Sequence, residues 1–230
     1  MPKPLPRDLR LAIFDLDGTL VDAYQAIADS LNVALSALGL KPQRPSAVKR
    51  AVGWGVDSLI RNFVDEDRAE EGLALFRDHH DRRLRQNIRL LPGAKGLLKD
   101  LKTRGMFLAI ASNRPARFCR IILDELGIVS AFDRIICGDN VPRPKPWPDM
   151  LQRIVRELKV RPSQAIYVGD MTVDVLSARR ARIFSVAVPT GSCTIEEIRA
   201  VRPDRMIARL TDLRVLMNGR RVLHNGHNKR

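Results

Sequence analysis

Leu11-Ala12-Ile13-Phe14-Asp15-Leu16-Asp17-Gly18-Thr19-Leu20 is a short apolar run that ends in two carboxylates and a glycine. Four apolar residues in a row predict a buried strand, and the period of two places Asp15 and Asp17 on one face just beyond it. Two like charges at such a place repel unless a cation or a shared proton intervenes, and a divalent metal answers both requirements. Gly18 lets the chain turn sharply away, so the carboxylates point past the sheet edge, where open α/β sheets bind their ligands.

Apolar runs recur at 107–111, 134–137, 165–168 and 184–188, with helical segments between them. This alternation predicts an α/β fold with a Rossmann-like, doubly wound parallel sheet. Residues 23–91 break the pattern. Ile27, Leu31, Leu35 and Leu38 keep helical spacing up to Gly39, and amphipathic stretches follow at 59–63 and 73–84, with no convincing strand. The expected organisation is therefore a core of residues 8–22 and 92–218, a helical insertion over 23–91, and a basic, mobile tail over 219–230. Leu91-Pro92-Gly93 marks the return to the core, and helices are expected over 94–103 and from Pro115 to near Gly127.

The chain has 230 residues, enough for one sizeable core with a smaller insertion, and 45% hydrophobic with 29% charged residues is an ordinary globular composition. No signal-peptide core and no run of membrane-spanning length is found, so a cytoplasmic protein without a membrane partner is expected. Cys119, Cys137 and Cys193 are widely spaced and form no C-x-x-C pair, so neither a zinc knuckle nor a disulfide framework is indicated. The formal charge is +14, yet the arginines are scattered, without an aromatic-interleaved stripe. A basic surface that attracts small anionic substrates accounts for this, and a nucleic-acid partner is not expected.

Four segments carry candidate chemistry, each directly after a strand or on the loop beyond it: Asp15-x-Asp17-Gly18-Thr19; Ser112-Asn113; Arg143-Pro144-Lys145-Pro146; and Gly169-Asp170-x-x-x-Asp174. In this order and at these intervals they resemble the motifs of the haloacid dehalogenase superfamily. The insertion resembles that superfamily's small α-helical cap. Val52-Gly53-Trp54-Gly55-Val56-Asp57 resembles the cap loop of its phosphoglycolate phosphatase-like branch.

The resemblance implies a Mg²⁺-dependent phosphatase acting on a small phosphorylated metabolite, with 2-phosphoglycolate the best single substrate, in a monomer or homodimer. It implies that Asp15 is the nucleophile and forms an aspartyl-phosphate, and that Asp17 is the general acid and then the base. Mg²⁺ would lie against the Asp15 carboxylate, the Asp17 main-chain carbonyl and Asp170, with Asp174 orienting metal-bound water. Thr19, Ser112, Asn113 and Lys145 would serve the phosphoryl group and Trp54 the substrate. A sugar-phosphate mutase and a non-catalytic scaffold of the same fold are the alternatives.

His79-His80 reads as a solvated helix face rather than a metal pair, because adjacent helical residues do not point together. Ala181-Arg182 stands where the related enzymes carry Ala-Gly, which removes the residue best able to end that helix in a left-handed conformation.

Overall fold

The structure, a computed structural model, describes residues 3–217, and the tail expected over 219–230 lies outside the described residues. Its centre is a six-stranded parallel sheet of β1 (Leu11–Phe14), β4 (Phe107–Ser112), β5 (Arg134–Cys137), β6 (Ala165–Gly169), β7 (Phe184–Ala187) and β8 (Arg205–Met206). The spatial order is β5-β4-β1-β6-β7-β8. After β1 the chain builds one wing through β4 and β5, then crosses to the other side of β1 for β6, β7 and β8. The crevice between β1 and β6 is thus the switch point of a Rossmann-type sheet, where ligands bind at the carboxyl ends of the strands.

Both faces of the sheet are covered, which is why its strands are continuous apolar runs. Ala12 and Phe14 of β1 face a core built with Leu97, Leu98 and Leu101 of α5 (Ala94–Thr103) and Phe118 and Ile122 of α6 (Ala116–Glu125). Leu11 and Ile13 face the opposite core, where α7 (Asp149–Glu157) adds Met150, Leu151 and Ile154 and α8 (Thr172–Ala181) adds Ala178. Ile198 of α9 (Ile195–Ala200) clusters with Ala187 of β7, and α10 (Asp212–Met217) adds Leu213 and Met217 to the first core.

Between β1 and β4 the chain leaves the sheet through β2 (Val21–Asp22) and returns through β3 (Arg89–Leu90), an antiparallel ribbon pairing Val21 with Leu90 and Asp22 with Arg89. Between them lie α1 (Tyr24–Ala37), α2 (Pro45–Ala51), α3 (Val56–Arg61) and α4 (Ala69–Arg83). The ribbon is a correction to a strandless insertion. Two residues per strand are too few to establish alternation, so only the tertiary pairing of the exit and return segments identifies it. β8 escapes the pattern for the same reason.

α8 ends with Arg182 at φ 57° and ψ 33°, in the left-handed conformation. The helix is thus terminated where a glycine would end it. The exposed arginine tolerates a conformation that costs about 1 kcal/mol or more for a residue with a Cβ.

Candidate active site

Asp15 is the first residue beyond β1, and its backbone N–H donates to the carbonyl of Val168, which seats it beside the end of β6. Its side chain continues the Leu11–Ile13 face. There Lys145 Nζ donates to Asp15 Oδ1 at 2.7 Å, to Asp174 Oδ1 at 2.8 Å and to the Tyr167 hydroxyl at 2.9 Å. Burial opposes the charge on Lys145, but Asp15 and Asp174 hold its pKa above the ordinary lysine value. Burial pushes Asp15 up to about 7 even with Lys145 pulling down, and Asp174 adds to the rise.

Asp170 follows β6 and is wholly buried. Thr19 Oγ1 donates to its Oδ1 at 2.6 Å, while its Oδ2 is buried without a hydrogen-bond partner. Burial, and then the charges of Asp15 and Asp174, drive its pKa well upward. Asp15, Asp170 and Asp174 each offer a carboxylate oxygen within 4.8 Å of the others. A buried, unpartnered carboxylate oxygen beside two further carboxylates is a donor set for a hard divalent cation such as Mg²⁺, so these residues fit that ion.

Asp17 takes a different partner. The chain bends after Leu16, and Arg114 donates to Asp17 from Nε at 2.7 Å and from Nη2 at 2.8 Å, a bidentate pair almost out of contact with solvent. Asp15 and Asp17 nevertheless line one cavity, together with Ser112, Asn113, Arg114, Lys145 and His80. Asn113 joins two of the loops that border the cavity: its side-chain amide donates to the carbonyls of Gly53 and Lys145, both at 3.0 Å, and accepts from Lys145 N at 2.8 Å. Ser192 Oγ on the sheet side adds a bond to the carbonyl of Val52 at 3.1 Å.

Thr19 stands behind the cavity with its hydroxyl committed to Asp170. Trp54 is half exposed and lines an outer groove with Asp57, Arg77 and Arg117. His80 corrects the solvated-face reading: it is fully buried, between the Phe76 ring at 4.6 Å and the edge of Phe118 at 4.9 Å. Its neighbour His79 is half-buried. The signal was available, because Ala69, Leu73, Phe76 and His80 share one face of α4 at helical spacing. Arg114 and Tyr167 were also missed. Both sit beside marked residues, but neither an arginine after Asn113 nor a tyrosine inside an apolar strand signals a polar partner far away in sequence.

With this geometry in view, the similarities to known proteins become specific. Residues 12–188 match the profile of the haloacid dehalogenase-like hydrolases. A phosphoglycolate phosphatase of Pseudomonas putida is 34% identical over 95% of this chain and 81% of its own length. One from Vibrio parahaemolyticus is 32% identical over 90% of this chain and 95% of its own. A crystal structure from Haemophilus somnus, titled a predicted phosphoglycolate phosphatase, superposes with a TM-score of 0.86 at 27% identity, covering 91% of this chain and 98% of that one. The family match spans the strand that presents Asp15, the strand that presents Asp170 and every loop that faces the cavity between them, so the chain belongs to the haloacid dehalogenase-like hydrolases.

Proposed function

We propose that this chain hydrolyses a small phosphate monoester, 2-phosphoglycolate foremost, with Asp15 as the nucleophile. The observation that carries the reading is the meeting of Asp15, Lys145, Asp170 and Asp174 at the carboxyl ends of β1 and β6, with Asp17 facing the same cavity. The named relatives support the choice of ester.

In this reading the core comprises residues 8–22 and 92–218, and residues 23–91 form a cap that excludes water and selects the substrate. The Asp15 carboxylate attacks phosphorus as the ester P–O bond breaks, giving an aspartyl-phosphate. Asp17 in its protonated form gives its carboxyl proton to the leaving alkoxide, and its bidentate pair with Arg114 favours the carboxylate that results. It then accepts a proton from the water that attacks the aspartyl-phosphate, which frees inorganic phosphate and restores Asp15. The Ser112 hydroxyl, with Asn113 beside it, holds phosphoryl oxygens, and Lys145 offsets the charge gathered around Asp15. Asp15, Asp170 and the main-chain carbonyl of Asp17 would hold Mg²⁺, with Asp174 outside them; the bound cation neutralises the repulsion between a carboxylate and a phosphate dianion.

Phosphate release from a panel of monoesters, with Mg²⁺ or after EDTA, tests this. Turnover of 2-phosphoglycolate is expected to disappear on chelation and to fall by at least about 10³-fold in Asp15→Asn. Release that survives in Asp15→Asn overturns the nucleophile, transfer of the phosphoryl group to a sugar in place of release restores the mutase reading, and silence with every ester restores the scaffold reading.

A further inference from the structure

Two buried cations face the cavity, and they differ in the donors they have left. Lys145 has none, because its three N–H groups reach Asp15, Asp174 and Tyr167. Arg114 uses Nε and Nη2 on Asp17 and Nη1 on His80 Nε2, the last at 2.9 Å. A guanidinium has five N–H groups, so one remains on each terminal nitrogen.

His80 fixes the plane of that guanidinium. Arginine is an obligate donor, so His80 Nε2 accepts and the ring proton sits on Nδ1, which donates to Ser30 Oγ at 2.9 Å; Ser30 in turn donates to the carbonyl of Ala26 at 2.8 Å. Burial and the neighbouring Arg114 hold the His80 pKa down to about 2, so the ring brings no positive charge of its own. Among the described residues Arg114, paired with Asp17, is thus the one cationic side chain at this end of the cavity, anchored through His80 and Ser30 to α1.

The space in front of it is otherwise largely apolar. The cavity walls include Ile27, Val52, Val56, Leu59 and Phe76. With walls so largely apolar, Arg114 is the polar group placed to meet a charged end of a substrate there. A planar fork with one free N–H on each arm matches the two oxygens of a carboxylate.

We propose that Arg114, steadied by His80, receives a carboxylate carried a few atoms from the phosphorus, and so makes this site selective for short carboxylated phosphate esters over uncharged ones. The inference rests on the phosphatase reading and adds to it a residue that sets specificity. Because Arg114 also holds Asp17, its loss lowers turnover of every ester; the discriminating quantity is the preference between two esters.

The experiment compares kcat/KM for 2-phosphoglycolate and ethyl phosphate, which have the same carbon count and differ in the carboxylate, in wild type, Arg114→Met and Arg114→Lys. Wild type is expected to prefer 2-phosphoglycolate by at least about 100-fold, since a site built to bond a polar group rejects an analogue lacking it by up to about 10⁴–10⁵-fold. Arg114→Met is expected to bring the preference to within about threefold of unity, and Arg114→Lys, which keeps the charge and loses the fork, to leave it intermediate. An undiminished preference in both variants overturns the proposal and leaves Arg114 as the holder of Asp17 alone. A wild type that cleaves both esters without preference overturns it with no variant needed. A wild type that cleaves neither overturns the phosphatase reading, a separate outcome.

Discussion

At the residue scale, the site is governed by how few polar atoms are left free. Asp170 Oδ2 owes its isolation to Gly191, where an added Cβ would run into the Asp170 carboxylate, and to Gly18, at φ 82°, where it would meet Asp170 and the Tyr24 hydroxyl. Gly191→Ala is therefore expected to weaken Mg²⁺ binding by about 10–100-fold while the chain stays folded, measured by titrating Mg²⁺ against thermal stability. His80 makes a second prediction, with a definite sign. Its folded pKa of about 2 lies below the unfolded value of 6.5, so the buried neutral ring contributes stability above pH 6.5, and that stability is lost as the pH falls toward 2. This one residue should steepen the loss by about 0.7 kcal/mol per pH unit at pH 6.5, rising to about 1.4 near pH 5. Denaturant unfolding at pH 8, 6 and 5 is expected to give a flatter profile in His80→Gln, and parallel profiles would show that His80 is not the titrating group.

At the element scale, long periodic segments were legible and short ones were not. α1 followed directly from Ile27, Leu31, Leu35 and Leu38, whose buried members face α4 and the core. β2, β3 and β8, at two residues each, carry no period at all. The end of α8 is a case where the local rule was sound and the chain departs from it: the helix terminates in a left-handed residue, and that residue is Arg182. Arg182→Gly is expected to stabilise the protein by roughly 0.5–1 kcal/mol, because relief of the strained conformation exceeds the extra backbone entropy of glycine in the unfolded chain. Thermal unfolding checks this, and a lower midpoint in the variant would mean that the arginine side chain has a compensating role.

At the scale of the whole molecule, the strand order decides where everything converges. The crossover from β5 to β6 on the far side of β1 brings residues 155 positions apart, Asp15 and Asp170, to one crevice. The surface around that crevice belongs to a chain with a formal charge of +14. Many arginines are paired locally, as Arg50 is with Glu197 across the closure between α2 and α9, at 2.7 and 2.9 Å, but the excess of cations remains. A field of this sign gathers anions, so kcat/KM for a phosphate ester should fall on the order of 3–10-fold between low and 0.5 M salt while kcat holds steady. A kcat/KM indifferent to salt would remove the basic surface from substrate capture. No helix among the described residues is long and apolar enough to cross a membrane.

Alternating apolar runs, and polar residues placed just after them, determined the α/β class, the parallel sheet and the acids at its edge, because strand period and turn chemistry are local properties of the chain. The partners of those acids were decided only by the tertiary structure. Lys145 between Asp15 and Asp174, Arg114 on Asp17, and His80 behind Arg114 are contacts between segments 29 to 130 residues apart. A buried charge takes whichever partner the packed layers bring within about 3 Å, and no spacing rule along the sequence encodes that meeting.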